Sequence, residues 1–267
     1  MKIKIMSYNI LNGFCSNNKP YKVNKNRIKN FLKLIEKENP DILILCEAYF
    51  WPFVIKHNLR NLKDLFLKIY DSPVPAEDMF RWAPIILSKF PIKEENISKH
   101  YRNGIRGYLR IGKRKIIIDA VHPAPYQLTE KERELWVKEI TKNKNSNYLI
   151  CGDFNALSPE DEYNEKNLIK GLKQNYKRRT NKIVKGMLSR KTIKYLLGIG
   201  LVDTYKAKIK KQDYTYSTDY SKNDKDTLRI DYIFCSEDFK IIESGIIKNK
   251  LTEKASDHYP IYAILEI

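Results

Sequence analysis

Carboxylate, amide and imidazole side chains follow several apolar segments of this sequence, and the clearest case lies near its middle. Tyr148-Leu149-Ile150-Cys151 predicts a buried strand, Gly152 interrupts it, and Asp153 and Asn155 follow two residues apart. Residues i and i+2 of an extended chain point to the same side, so we expect both side chains to leave the edge of a sheet together. The carboxylate can accept a proton or bind a metal ion, and the carboxamide can donate a hydrogen bond. Gly-Asp also occurs in ordinary turns, so other strand ends must support the interpretation.

Five further predicted strand boundaries carry a residue able to do chemistry. In chain order these residues are Asn9, Glu47, His122, Asp231, and Asp257 with His258. Asp231 stands out because it interrupts a strand-forming segment, where a buried charge without a partner is costly. Each residue alone can be a cap or a turn, but functional side chains collect where strands end, and six positions in one chain favour a site.

The residue types in this set indicate a particular chemistry. Carboxylate and amide oxygens suit a hard divalent cation such as Mg²⁺ or Mn²⁺, whereas a zinc site would contain more His or Cys. A histidine beside carboxylates suits acid–base catalysis or stabilisation of a developing negative charge. Together with the excess of positive charge, these residues predict a phosphate ester as the substrate.

The composition supports a phosphate-rich partner without requiring one. The chain has 267 residues, 42% of them hydrophobic, and a formal net charge of +18 from 50 Lys and Arg against 32 Asp and Glu. Such a charge attracts polyanions. Lys, Asn and Ile are all abundant, however, and a lysine-rich solvated surface needs no ligand. The segment from Lys166 to Lys194 has eleven basic and no acidic residues, and it predicts helical insertions beside the site or simply a cationic surface.

The cysteines and the N-terminal segment indicate a reducing environment. Three of the four cysteines lie in apolar strand-like segments, and none has zinc-type spacing or belongs to a disulfide framework. The first six residues alternate charge and lack the apolar core of a signal peptide, and no segment is long and apolar enough to cross a bilayer. We therefore expect a cytoplasmic protein, monomeric and without an implied protein partner.

Periodicity predicts alternating helices and strands in one domain over residues 1–267. Predicted helices cover 24–38, 53–69 and 129–142, the last opened by a Thr129-x-x-Glu132 capping box. Predicted strands cover 2–8, 42–46, 82–90, 104–111, 115–121, 148–151, 214–217, 229–235, 240–247 and 259–266. Interleaved elements of both kinds indicate an α/β or α+β layered architecture.

Seven short motifs, in order, resemble the endonuclease/exonuclease/phosphatase superfamily, also called the deoxyribonuclease-like fold. The similarity spans residues 5 to 262. The motifs are Ser7-Tyr8-Asn9-Ile10, Cys46-Glu47, the segment that starts with Ile85-Ile86-Leu87-Ser88, Val121-His122, Gly152-Asp153-Phe154-Asn155-Ala156, Arg229-Ile230-Asp231-Tyr232-Ile233 and Ser256-Asp257-His258-Tyr259-Pro260. The resemblance implies a four-layer αββα sandwich, in which two mostly antiparallel sheets pack face to face with helices outside. It also implies metal-dependent hydrolysis of a phosphoester, with Glu47 as the main ligand of Mg²⁺ or Mn²⁺ and with Asn9 and Asp257 near the metal.

The resemblance also implies roles for the other candidate residues. Asp153 orients or deprotonates the attacking water, and Asn155 contacts the scissile phosphate or the nucleophile. His258, oriented by Asp231, stabilises negative charge on the phosphate. His122 is a second phosphate contact or proton donor.

Three functions remain open at this stage. The first is a nuclease or nucleic-acid phosphodiesterase, with Arg81, Tyr126 and Arg229 as substrate contacts. The second is a phosphatase or phosphodiesterase for a small, inositol or lipid phosphate, because the same centre would serve both. The third is nucleic-acid binding without catalysis, which the complete residue set argues against. Glu47-Ala48-Tyr49 and His122-Pro123-Ala124-Pro125 depart from the motifs of apurinic-site endonucleases, which makes that branch of the family a poor match.

Overall fold

The computed structural model describes residues 1–15, 22–48, 84–99, 102–123, 128–142, 144, 146–176, 180–218, 220 and 227–267. Several predictions lie outside these residues, namely the helix over 53–69 and the substrate contacts Arg81 and Tyr126.

Two β-sheets form the centre of the fold, and each contains one parallel pair among antiparallel neighbours. The strands are β1 (Lys2–Asn9), β2 (Ile42–Cys46), β3 (Ile85–Ser88), β4 (Ile92–Asn96), β5 (Arg102–Ile111), β6 (Arg114–Pro123), β7 (Tyr148–Asp153), β8 (Val202–Asp203), β9 (Asp231–Cys235), β10 (Lys240–Ile246) and β11 (Ile261–Glu266). The first sheet has the order β10-β11-β1-β2-β3 and the second β4-β5-β6-β7-β9-β8. The parallel pairs are β1 with β2 and β6 with β7.

Seven α-helices lie within the described residues. They are α1 (Lys25–Glu38), α2 (Glu130–Thr141), α3 (Glu165–Tyr176), α4 (Thr180–Leu188), α5 (Lys191–Gly198), α6 (Thr204–Lys208) and α7 (Thr252–Ala255). The Asn24 side chain accepts hydrogen bonds from the first turn of α1, and the predicted capping box of Thr129 and Glu132 opens α2. No described helix is both long and apolar enough to span a membrane.

The hydrophobic core has one layer between the sheets and one on each outer face. Ile5 and Ile44 of the first sheet pack in the same cluster as Ile118 and Ile233 of the second. A second cluster packs α1 against the outer face of the first sheet. A third packs α2 and α5 against the outer face of the second. The layers are therefore helix, sheet, sheet and helix, which confirms the predicted sandwich.

Several elements differ from the prediction, which did not contain β8, α6 or α7. The predicted strand at 214–217 is wrong: within the described residues no strand forms there, and Tyr216 makes isolated bridges to Leu228 and to His258. The sequence prediction missed β4, whose Lys93-Glu94-Glu95 is charged. Among the described strands, β4 lies at the edge of its sheet and pairs with β5 alone, so it needs little apolar surface.

Gly152 permits the close approach of β7 to β6 next to the candidate site. Its φ is 142°, and a Cβ there would lie 2.0 Å from the carbonyl oxygen of Val121. We expect Gly152→Ala to lower the free energy of unfolding by at least about 3 kcal/mol, through backbone strain and overpacking. Urea unfolding measures this loss. Gly198→Ala is the control, because nothing lies within 4 Å of its added Cβ. Equal stability of both variants would contradict the packing explanation.

Candidate active site

The sheet topology brings the polar strand ends of both sheets together. Asn9 ends β1, and Glu47 follows the parallel strand β2. Asp153 ends β7 and pairs with Asp231 at the start of the antiparallel strand β9. The residues predicted from separate strands therefore meet on one rim of the sandwich, although β9 contributes the start of a strand rather than its end.

The Asp153 carboxylate lies at the centre of this cluster and is almost fully buried. Its Oδ2 accepts a hydrogen bond of 3.0 Å from Asn9 Nδ2, and it lies 3.7 Å from His122 Nε2 and 3.8 Å from His258 Nε2. Burial and the negative charge of Asp231 raise the pKa of Asp153 from its ordinary value of 3.8 to about 6. Two imidazoles and one amide thus surround a single carboxylate oxygen.

Glu47 is fixed at the edge of the cluster by three hydrogen bonds. Its carboxylate accepts from Asn9 Nδ2 at 3.1 Å and from the backbone N–H of Asn12 at 3.0 Å, and its carbonyl oxygen accepts from the Gly13 N–H. Its φ of 54° is unusual for a residue with a side chain, which is typical of functional positions. The carboxylate is therefore held in place and remains partly exposed.

Asn9 presents its NH₂ group to both carboxylates. Its Oδ1 accepts a hydrogen bond of 3.0 Å from the Leu11 N–H, so the amide oxygen is turned toward the backbone. The Asn9 amide therefore joins Glu47 to Asp153, and its place near a metal stays a prediction.

The backbone between Asp153 and Asn155 is not extended, so the predicted alternation of side chains along a strand does not explain why the two side chains lie close together. Asn155 has a φ of 48°, and its N–H donates to Asp153 Oδ1 at 2.9 Å in an Asx-type turn. Its Nδ2 donates to the Pro123 carbonyl oxygen at 3.0 Å. Both side chains lie at the site, but a turn rather than strand alternation brings them there.

His258 and Asp231 form the predicted carboxylate–imidazole pair. The distance from His258 Nδ1 to Asp231 Oδ2 is 2.8 Å, and both residues are buried. Burial alone would lower the pKa of His258, but the charge and hydrogen bond of Asp231 raise it well above its ordinary value. The Asp231 carboxylate therefore favours the protonated form of His258, whose Nε2 lies 3.8 Å from Asp153 Oδ2.

His122 and Asp257 complete the cluster. His122 is buried, and its Nδ1 has no hydrogen-bond partner within the described part of the chain. Asp257 is partly exposed and accepts a hydrogen bond from Ser256 Oγ at 3.2 Å. Partial removal from solvent raises the pKa of Asp257, the charge of His258 opposes that rise, and the charge of Glu47 adds to it.

Arg229 does not lie where a substrate could contact it. Its side chain is 0% exposed; Nε binds Asp161 Oδ2 at 2.7 Å, and Nη1 binds Asp203 Oδ2 at 2.6 Å. The predicted substrate contact is corrected on this point: Arg229 neutralises two buried carboxylates beneath the site.

Removing Arg229 should destabilise the protein. Arg229→Ala would leave Asp161 and Asp203 buried with reduced compensation, so we expect a loss of about 3–5 kcal/mol in the free energy of unfolding, measured with urea. Stability equal to that of the wild type, together with weaker substrate binding, would instead restore the substrate role.

Sequence reasoning missed several residues that build the site. Arg27 is buried and donates to the carbonyl oxygens of Ile10 and Ala255, which joins the segments next to Asn9 and Asp257. Tyr216 packs against His258 with ring centroids 5.1 Å apart. The pairing of Tyr216 with Leu228 and His258 links segments distant in sequence, so no local pattern indicated either role.

A cavity of about 150 Å³ opens beside this cluster. Glu47, Asp153, Asn155, Asp257 and His258 line one side of it. Side chains of the helical insertion line the other, which agrees with the prediction that helices between 158 and 200 lie beside the site.

Several solved structures are similar to this chain in fold. A TDP2 structure from D. rerio, complexed with single-strand DNA product, is 17% identical and has a TM-score of 0.64, covering 100% of this chain and 99% of that chain. An AP endonuclease from Archaeoglobus fulgidus is 18% identical with a TM-score of 0.63, covering 99% of this chain and 100% of the other. ANGEL2, a 2′,3′-cyclic phosphatase, is 14% identical with a TM-score of 0.61, covering 99% and 95%.

At these identities the similarity to solved structures shows the fold alone, and no curated protein sequence matches the chain. The family model of the Endonuclease/Exonuclease/phosphatase family matches residues 6–258, nearly the whole chain and all of the clustered residues. This chain belongs to the Endonuclease/Exonuclease/phosphatase family.

Proposed function

We propose that this protein is a divalent-metal-dependent phosphodiesterase that cleaves nucleic acid by attack of water at phosphorus. The observation that carries the proposal is the position of Asp153 Oδ2, with the Nε2 atoms of His122 and His258 at 3.7 and 3.8 Å and the fixed Glu47 carboxylate nearby. A carboxylate, two imidazoles and a second carboxylate around one point match the requirements of in-line attack on a phosphate.

The donor atoms present suit Mg²⁺ or Mn²⁺. Glu47 and Asp257 both offer carboxylate oxygens on the open side of the cluster, the ligand type that these ions prefer. Asp153, Asp231 and His258 also have ligand atoms within 4.8 Å of one another, but His258 Nδ1 and Asp231 Oδ2 are already joined by a hydrogen bond. We therefore assign the metal to Glu47 and Asp257. When bound, it would neutralise charge on a non-bridging phosphate oxygen.

Side chains of the protein activate the water and bind the phosphate. Asp153, held by Asn9, orients and deprotonates the water. His258, kept cationic by Asp231, donates from Nε2 to the phosphate as negative charge develops. Asn155 fixes the turn that carries Asp153 and lines the cavity where the phosphate would lie. His122 is the second phosphate contact or proton donor.

Nucleic acid is the substrate class that the charge favours. The net charge of +18 and the exposed lysines of α3 and α4 provide an attractive field for a polyanion. One structural neighbour holds single-strand DNA product, and another is an AP endonuclease. The alternative is a phosphatase for a small, inositol or lipid phosphate. One structural neighbour is a 2′,3′-cyclic phosphatase, which supports this alternative.

A substrate panel tests the proposal. Purified protein with Mg²⁺ or Mn²⁺ would be offered single-stranded DNA, duplex DNA, abasic duplex, RNA, a 5′-tyrosyl oligonucleotide and an inositol phosphate. We expect cleavage of at least one oligonucleotide. Release of phosphate from the inositol compound alone would select the alternative function.

A further inference from the structure

A second cavity lies at the end of the second sheet that is remote from the candidate active site. Its volume is about 870 Å³, and residues of the β5–β6 turn, of the start of β4 and of the segment before β7 line it. Ligand sites usually have volumes of about 300–1,000 Å³. Lys115 at this end and His122 at the active site are seven residues apart on β6, which corresponds to about 23 Å at the rise of a strand. The cavity is therefore separate from the active site.

The lining of this cavity is strongly basic. It includes five exposed basic residues, and no described lining residue is acidic; the five are Lys93, Arg110, Lys113, Arg114 and Lys115. Within the described part of the chain none of the five forms a salt bridge, and Arg114 contacts the Asn147 side chain at 3.5 Å. Such a concentration of one sign of charge in a concave surface attracts an anion with several charges.

The strand register places an exposed aromatic ring among these charges. Lys93 of β4 pairs with Tyr108 of β5, and in the next row Arg110 pairs with Lys115 of β6. Tyr108 and Arg110 are two residues apart on one strand, so their side chains lie on the same face of the sheet. Tyr108 is 39% exposed, and its hydroxyl group donates to Glu95 Oε2 at 2.6 Å, which orients the ring.

Helix α2 leaves this part of the sheet uncovered. Arg106 Nη2 donates to the Ile140 carbonyl oxygen at 2.6 Å, and α2 ends one residue later at Thr141. Tyr108 and Arg110 lie further along β5, beyond the end of the helix. The outer face of the second sheet is therefore packed against helices in one part and basic and open at the end remote from the active site.

We propose that this basic groove binds single-stranded nucleic acid at a second site; the groove consists of Lys93, Tyr108, Arg110, Lys113, Arg114 and Lys115. Basic side chains that follow a phosphate backbone, together with an aromatic ring on which a base stacks, are the combination that binds single strands. Bases within a duplex are stacked on one another and do not offer a face to Tyr108. A flat anionic membrane does not fill a concave lining, which favours a strand over a lipid surface.

The groove extends the proposed function to the binding of long substrates. A strand bound at both sites must span at least about 23 Å, so a very short oligonucleotide occupies only one of them. The groove should therefore raise the affinity for a long strand without taking part in the chemical step.

A binding measurement tests the charges of the groove. Fluorescence anisotropy would follow a labelled 20-nucleotide oligothymidylate in the presence of chelator, which prevents metal-dependent cleavage, for the wild type and for Arg110→Gln/Lys115→Gln. We expect the double variant to bind at least about 10-fold more weakly. The slope of log K against log salt should fall in magnitude by about 1.4, because two phosphate contacts are lost.

Lys29→Gln/Lys33→Gln is the matched control. It makes the same change in net charge at exposed residues of α1, which packs on the other sheet. Because exposed charges are screened within about 10 Å at ordinary salt, we expect its affinity to change by less than about 2-fold. An equal loss of affinity in both double variants would reflect net charge alone and would overturn the inference.

Variants of Tyr108 test stacking. Tyr108→Ala should weaken binding of the same oligonucleotide by at least about 5-fold, and Tyr108→Phe, which keeps the ring, should bind like the wild type. Thermal unfolding checks that both variants fold. Wild-type affinity of Tyr108→Ala, or tighter binding of the matched duplex, would overturn the assignment to single strands. Binding to vesicles of phosphatidylcholine and phosphatidylserine that needs Arg110 and Lys115, with oligonucleotide affinity unchanged in their variant, would also overturn it.

Cleavage kinetics distinguish this inference from the proposed function. The small diester thymidine 5′-(4-nitrophenyl phosphate) reaches only the active site, so Arg110→Gln/Lys115→Gln should leave its kcat/KM unchanged and lower that of the oligonucleotide by about 10-fold. Oligonucleotide binding that depends on the groove, without any hydrolysis, would support the groove and contradict the proposed function. Hydrolysis combined with binding that the groove variants leave unchanged would overturn the groove and leave the phosphodiesterase proposal standing.

Discussion

Asp153→Asn should reduce the kcat of phosphodiester hydrolysis by roughly 10²–10³-fold or more. The amide keeps the size of the side chain, and its oxygen can still accept from Asn9 or from the Asn155 N–H. It cannot take a proton from water at neutral pH, so the attacking group is no longer activated. Steady-state and single-turnover kinetics on a single-stranded oligonucleotide would measure the loss.

We expect Asp153→Asn to keep the fold, so that a loss of kcat would reflect the chemical step rather than unfolding. Circular dichroism and urea unfolding should give wild-type values, because the substitution removes a crowded buried charge without creating a cavity. Asp213→Asn is the control, since Asp213 is a partly exposed residue paired with Lys248. Near-normal turnover by Asp153→Asn would show that another group activates the water.

His258→Ala should have a comparable effect, on the order of 10² or more in kcat. The variant removes the imidazole whose Nε2 lies 3.8 Å from Asp153 Oδ2 and which we propose donates to the phosphate, and it leaves Asp231 buried without its ion-pair partner. A stability loss of about 3–5 kcal/mol should therefore accompany the kinetic loss. His258→Gln keeps much of the volume and can still donate to Asp231, so it should recover stability but little of the turnover.

The Asp231–His258 pair predicts non-additive kinetics. Asp231→Asn removes the charge that keeps His258 cationic, so its loss in kcat should overlap with that of His258→Ala. The double variant should then be about as slow as the slower single variant. Independent, multiplicative losses would mean that Asp231 does not act through His258.

Strand ends were predictable because apolar segments and the polar residues that follow them are adjacent in sequence. Glu47, His122 and Asp153 follow such segments, and the order of the motifs predicted the sandwich. The turn at Asn155 was not predictable, because its left-handed backbone depends on hydrogen bonds to Asp153 and Pro123. A short sequence motif specifies residue types rather than the local backbone conformation.

Arg229 shows why neighbours in a motif can have different roles. It lies two residues from Asp231, yet contacts with Asp161 and Asp203 decide its function. Cys46 is similar: it reads as a small hydrophobe, but its Sγ lies 3.4 Å from the Asp153 N–H and links the two sheets beneath the site. Such roles depend on residues that are 26 to 107 positions away, beyond any local pattern.

The most direct test of the central claim is the metal dependence of phosphodiester cleavage at the Glu47 site. Cleavage of a single-stranded oligonucleotide would be followed with Mg²⁺, after addition of chelator, and after restoration of Mg²⁺, for the wild type and for Glu47→Gln. We predict that chelator abolishes wild-type cleavage, that Mg²⁺ restores it, and that Glu47→Gln needs much more Mg²⁺ or stays inactive. Cleavage that persists in chelator, or a Mg²⁺ dependence unchanged by Glu47→Gln, would contradict the proposed metal-dependent mechanism.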